Sequence, residues 1–104
     1  MNDAVIKSLD LSGQLALVTG ASSGLGVHFA KVLAQAGATV VAAARRVDRL
    51  ESLVADIEAA GGKAMAVAMD VNDGSSVVAA FDQVQANLGT VTVVVNNAGV
   101  ADPS

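Results

Sequence analysis

The sequence predicts a doubly wound, parallel α/β sheet, and three observations carry that prediction. Short apolar runs alternate with longer segments whose apolar residues recur at helical spacing, and the connections are short. A glycine-rich turn, Thr19-Gly20-Ala21-Ser22-Ser23-Gly24-Leu25-Gly26, joins the first run to the first helical segment. The composition is 53% hydrophobic but only 2% aromatic, so the core is built from Val, Ala, Leu and Ile, which suits a sheet closely covered by helices. At 104 residues the chain makes one small domain.

Residues 1 to about 13 are a lead-in, with Val5, Ile6, Leu9 and Leu11 expected to pack under the sheet edge. The first strand is Leu15–Thr19, a continuous apolar run bounded by Gly13 and Gly20 and therefore buried on both faces. The first helix runs from Gly24 to Gln35, with Leu25, Phe29, Val32, Leu33 and Ala36 on its apolar face, and Gly37 stops it. The second strand is Thr39–Ala44. The second helix starts near Asp48 as N-cap, presents Leu50, Leu53, Val54 and Ile57, and ends at Gly61-Gly62. The third strand is Ala64–Met69. The third helix begins near Asp73, carries Val77, Phe81, Val84 and Leu88, and ends at Gly89. The fourth strand is Val91–Val95, followed by Asn96-Asn97-Ala98-Gly99.

Parallel strands need crossovers, and right-handed crossovers with helices on both faces give the strand order 3-2-1-4. The order reverses between the first and fourth strands, where the glycine turn lies. Ligands of such sheets bind in that crevice, outside the carboxyl ends of the strands.

The glycine turn fits an anion. The first turn of a helix has N–H groups without intrahelical partners and the positive end of the helix dipole. Gly20 permits the sharp turn, Gly24 lets a pyrophosphate approach the backbone, and Gly26 lets the helix pack close to the sheet. Ser22 and Ser23 add hydroxyls that can cap the helix or bond phosphate oxygens. The spacing is G-x-x-x-G-x-G and lacks the G-K-[ST] ending of a nucleoside-triphosphate loop. A plain flexible turn is the alternative reading.

The second strand ends in Ala43-Ala44-Arg45-Arg46. No carboxylate stands where an adenosine 2′-hydroxyl would want one, and two guanidinium groups follow where a 2′-phosphate would want them. This favours NADP(H) over NAD(H); a solvated basic turn is the alternative. Asp70-Val71, at the end of the third strand, could bond and cover an adenine ring, or Asp70 could simply be a turn residue. Met65 and Met69 read as core filler, and His28 as a partly solvated helix residue.

Other classes are excluded or disfavoured. The net charge is −4 with no cluster of Lys or Arg that reads as a nucleic-acid face. There is no Cys, hence no disulfide framework or thiolate metal site. No apolar run reaches transmembrane length, and Met1-Asn2-Asp3 lacks the basic region of a signal peptide. A cytoplasmic protein with no metal site, no nucleic-acid partner and no membrane partner is expected.

Taken in order, the glycine segment, Arg45-Arg46, Asp70-Val71 and Asn96-Asn97-Ala98-Gly99 resemble the short-chain dehydrogenase/reductase family, as does Asp10-Leu11-Ser12-Gly13 before the first strand. The resemblance covers nearly the whole chain. It implies a Rossmann-type fold and an oxidoreductase that moves a hydride between a nicotinamide cofactor and a carbonyl or alcohol substrate. It further implies that Gly20, Ser22, Ser23, Gly24, Leu25 and Gly26 hold the pyrophosphate. Arg45 and Arg46 would select the 2′-phosphate, and Asp70 and Val71 would lie by the adenine. Asn97, Ala98 and Gly99 would tie the fourth strand to the sheet and line the nicotinamide-ribose side.

The family's proton-transfer tyrosine, with its lysine and serine, lies beyond the segment matching Asn96-Asn97-Ala98-Gly99. This chain contains no Tyr. The resemblance therefore implies the cofactor-binding first part of such an enzyme, with no catalytic residue of its own. A non-catalytic nucleotide-binding or partner module is the other function class. The fourth strand is expected to leave an open apolar edge, Val91 and Val93 to Val95, through which the chain self-associates or takes a partner.

Overall fold

The computed structural model describes residues 10–97. Its elements are β1 (Leu15–Thr19), α1 (Gly24–Gln35), β2 (Thr39–Ala44), a 3-10 turn (Val47–Leu50), α2 (Glu51–Ala59), β3 (Lys63–Ala68), α3 (Gly74–Asn87) and β4 (Val93–Val95). The sheet is parallel with order β3-β2-β1-β4, the Rossmann-type doubly wound arrangement. β1 is central: Leu15 to Thr19 pair with Thr39 to Ala43, and Ala16 to Val18 pair with Val93 to Val95.

Strand alternation sorts the core into two layers. Ala16, Val18, Val40, Ala42 and Ala44 face α1 and α2, where Ala30, Leu33, Leu53 and Ile57 complete the packing. Leu15, Leu17, Val41, Ala43, Val67 and Met69 face α3 and meet Ala80 and Val84. Both faces of β1 and β2 are thus dry, which is why their sequences are continuous apolar runs rather than alternating ones. Lys31 of α1 reaches Asp56 of α2 at 3.3 Å across the outer surface.

Several boundaries differ from expectation, each for a physical reason. Asp48 is not a helix N-cap. The chain enters a 3-10 turn first, with Arg49 N–H donating to the Arg46 carbonyl at 3.2 Å, and α2 begins only at Glu51 without a side-chain cap. Asp48 instead turns its carboxylate to Arg46. β4 is shorter than Val91–Val95: regular pairing with β1 starts at Val93, and at Thr92 the backbone N–H still donates to the Leu15 carbonyl at 2.9 Å while the Thr92 hydroxyl, not a backbone carbonyl, accepts the Leu15 N–H at 2.9 Å. β3 starts one residue early, where Lys63 pairs Thr39, and ends at Ala68; Met69 N–H still donates to the Ala44 carbonyl at 3.0 Å. Leu88 is not on the buried face of α3 but at its C-cap, exposed. The open edge is less apolar than expected: Val91, Val93 and Val95 are half-buried against the two core layers, and only Val94 stands well exposed, at 56%. Leu11 packs against the α1 layer as expected, while Val5, Ile6 and Leu9 lie outside the described residues.

Candidate functional site

Because all strands are parallel, the segments that follow them emerge along one edge of the sheet. That edge carries Gly20 to Ser23 after β1, Arg45-Arg46 after β2, Asp70-Val71 beyond β3, and Asn96-Asn97 after β4. The topology thus brings every described site residue of the sequence analysis to the carboxyl side of the sheet. Ala98 and Gly99 lie outside the described residues.

The glycine turn is built around one carbonyl. Gly20 has φ +62°, which ends β1 and swings its carbonyl inward. That oxygen accepts from Ser23 N–H at 3.2 Å, from the Ser23 hydroxyl at 2.9 Å and from the Asn97 side-chain amide at 3.1 Å. The Ser23 oxygen in turn accepts from Gly26 N–H at 3.1 Å and from the Asn97 amide at 3.0 Å. Ser23 is therefore the N-cap of α1, with its hydroxyl proton committed to the turn. Ala21 N–H donates to the Ala43 carbonyl at 3.1 Å and ties the turn to β2.

Gly26 is required by this packing. A Cβ there would collide with the Gly20 carbonyl oxygen and stand 2.8 Å from the Ala21 Cα and 3.0 Å from Asn97 Nδ2. Gly24 differs: a Cβ there would meet nothing within 4 Å, so its surface is open. Among the described residues the N–H groups of Gly24 and Leu25 donate to no partner, and both residues are exposed. The turn thus offers an outward backbone at a helix N-terminus, the donor set that suits a phosphate. Ser22 is half-buried beside it.

At two residues of the site the contacts were not legible from sequence pattern, Asn97 having been named only through the family resemblance. Thr19, 6% exposed, accepts from Asn97 N–H at 2.9 Å and places its hydroxyl 3.2 Å from Asn96 Oδ1 and 3.4 Å from the Val95 carbonyl, which it can donate to. Asn97, 3% exposed, has its side chain beneath the glycine turn. These contacts span 74 to 78 positions of sequence. The signal that could have found them was the strand order, which puts the ends of β1 and β4 side by side.

The basic turn after β2 is exposed at both Arg45 and Arg46. Arg46 holds Asp48 by two contacts, Nη2 to Oδ2 at 3.0 Å and Nε to Oδ1 at 3.4 Å. The hydrogen bond from Arg46 lowers the Asp48 carboxyl below its ordinary value. Asp70 is half-buried in a turn: its Oδ1 accepts from Asn72 N–H at 3.0 Å, and its N–H donates to the Ser76 hydroxyl at 2.9 Å. Val71 beside it is exposed. Asp73 caps α3, accepting from Ser75 N–H at 3.0 Å and the Ser75 hydroxyl at 2.7 Å, and these bonds lower its carboxyl as well. His28 is exposed on α1. Among the described residues no group of three or more His, Cys, Asp or Glu could hold a metal, and no helix is long and apolar enough to cross a membrane.

Comparison with known proteins gives concordant results. The family model for short chain dehydrogenase matches residues 14–104. A short chain dehydrogenase of Pseudocercospora fijiensis is 46% identical over 91 residues, which are 88% of this chain and 29% of that protein. Among solved structures, a metagenomic short-chain oxidoreductase in complex with NADP has a TM-score of 0.77 and 41% identity, over 82% of this chain and 38% of the other. A proposed D-mannonate oxidoreductase from Haemophilus influenza with bound NAD has a TM-score of 0.81 over 86% of this chain and 32% of the other; at 23% identity it attests the fold alone. The chain thus spans about a third of the length of the proteins it matches.

Proposed function

This chain belongs to the short-chain dehydrogenase family, and from that premise we propose that it is the cofactor-binding domain of an oxidoreductase acting on a carbonyl or alcohol, with NADP(H) preferred over NAD(H). The carrying observation is the end of β2. Ala43 and Ala44 are buried there, no carboxylate follows them directly, and two exposed arginines do. A carboxylate at that place would accept from a ribose 2′-hydroxyl and repel a 2′-phosphate; a guanidinium does the reverse.

The bound nicotinamide would supply the hydride chemistry. The chain's own part is binding and orientation. The outward N–H groups of Gly24 and Leu25, with Ser22 at the side, would take the pyrophosphate, while Ser23 and Asn97 keep the turn in shape from beneath. Arg45 and Arg46 would take the 2′-phosphate. Asp70 and Val71 would border the adenine, with the Asp70 turn holding Val71 outward. Asn97 would hold the turn from beneath, where its amide hydrogens go to Gly20 and Ser23, and would line the nicotinamide-ribose side with its oxygens.

The test is calorimetric titration with NADPH and NADH, with and without Arg45→Ala. Charge-assisted hydrogen bonds contribute about 1.5–3 kcal/mol, so NADPH should bind roughly tenfold to a hundredfold tighter than NADH in the unaltered chain. The substitution should remove most of that margin. Equal affinities before substitution would overturn the cofactor reading.

A further inference from the structure

The Arg46–Asp48 pair supports an inference that rests on the NADP(H) reading above. Arg46 presents the side of its guanidinium, Nε and Nη2, to both oxygens of Asp48. A planar fork closed on a carboxylate is the arrangement it would also use for two phosphate oxygens. Asp48 therefore occupies, with a charge of the same sign and a similar paired-oxygen geometry, the donors a 2′-phosphate would seek.

The local backbone builds this in. Arg46 is extended (φ −112°, ψ 101°) and the 3-10 turn starts directly after it, which brings the side chain two positions on back alongside the arginine. Asp48 has no capping duty that would account for a carboxylate there, since α2 starts later and uncapped. The nearby Arg49 adds only a minor pull on the Asp48 carboxyl beside that of Arg46.

We propose that Asp48 is a specificity-determining residue that opposes the 2′-phosphate: it fills the Arg46 fork, and NADP(H) must displace or share that fork while NAD(H) need not. Its effect is to hold the preference for NADP(H) below what two arginines alone would give. Both partners are largely exposed, 58% for Arg46 and 63% for Asp48. Solvent screening keeps such a pair small, so removing the carboxylate should shift affinity by about twofold to fivefold.

The experiment is a binding titration of NADPH and of NADH to the unaltered protein and to Asp48→Asn, Arg46→Ala and the double variant, with thermal melting to show that each is folded. Asp48→Asn should tighten NADPH by about twofold to fivefold and leave NADH unchanged, and the gain should shrink in the Arg46→Ala background. No change in NADPH affinity, a weakening of it, or an equal change for both cofactors would overturn the assignment. A weakening would mean that Asp48 orients Arg46 for the phosphate. The failures are distinguishable: NADPH preference intact but insensitive to Asp48→Asn sinks only the role of Asp48. Equal binding of both cofactors, undiminished by Arg46→Ala, sinks the cofactor reading itself.

Discussion

Alanine at Gly24 and at Gly26 should separate two jobs that one glycine motif performs. At Gly26 the added Cβ meets backbone, the Gly20 carbonyl oxygen and the Ala21 Cα, and then Asn97 Nδ2. The first two are backbone atoms that cannot step aside, and Asn97 Nδ2, though a side-chain end, is held by its bonds to Gly20 and Ser23. Overpacking of this kind costs about 1–3 kcal/mol, and displacing the Asn97 amide from the Gly20 oxygen removes a buried hydrogen bond, about 1 kcal/mol more. For a domain near this size each kcal/mol moves the melting point by roughly 4–8 °C. Gly26→Ala should therefore melt about 10 °C or more below the unaltered chain, with or without cofactor. Gly24 has no positive φ, stands at the first position of α1, and has open space where its Cβ would be. Alanine there should be neutral or stabilising by about 0.4–1 kcal/mol, through a less flexible unfolded chain. Its penalty should fall on binding alone, at least about tenfold for NADPH, the equivalent of one charge-assisted hydrogen bond. Paired melting curves and titrations check both. A Gly26→Ala chain that melts normally would refute the close packing beneath the turn. A Gly24→Ala chain with unchanged cofactor affinity would refute the placing of the phosphate over that backbone.

Three further outcomes follow from the same structure. The isolated chain should not oxidise NADPH with a panel of ketones and aldehydes above the buffer rate, because it has no Tyr to protonate an alkoxide; turnover that scales with protein through repurification would contradict this. The Asp73 carboxyl is lowered by its bonds to Ser75, so its folded value lies below its unfolded one, and the stability it lends to α3 is present above the ordinary carboxylate range and lost as pH falls through the lowered value. Asp73→Asn should flatten the acid limb of the stability–pH curve, and an unchanged limb would rule that out. Among the described residues β4 has a neighbour on one side only and exposes Val94, so the chain should self-associate in sedimentation runs at rising concentration, and Val94→Lys should reduce it; a clean monomer at high concentration would refute the open edge.

The legible parts of this chain were those written in local pattern. Period and bounding glycines placed β1, α1 and β2 to the residue, because continuous apolar runs buried on both faces and a Gly at φ +105° after α1 are local facts. The strand order followed from chain direction and crossover handedness. Two of the differences share one cause: a side chain doing what the backbone, or a different side chain, was expected to do. The Thr92 hydroxyl takes the Leu15 N–H where a backbone carbonyl was expected, just before the regular pairing of β4, and Asp48 turns from capping to Arg46. The first is a contact over 77 positions, invisible to any window of sequence.

The site divides along the same line. The glycine turn and Arg45-Arg46 could be read because backbone donors and fixed charges declare their chemistry wherever they stand. The contacts that hold them in place could not be read from local pattern, and Asn97 was reached only through the family resemblance, because Asn97 and Thr19 meet only through their positions at the ends of adjacent strands. That dependence has a structural consequence. The Gly20 carbonyl and the Ser23 hydroxyl each receive one hydrogen of the Asn97 amide, and the Asn97 N–H is received by Thr19. The turn after β1 therefore reaches its full set of hydrogen bonds only once β4 has paired with β1. The shape of the glycine turn thus depends on the docking of the last described strand, so a change that loosens β4 should weaken cofactor binding even though no residue of β4 lies where the pyrophosphate would sit under the proposed function.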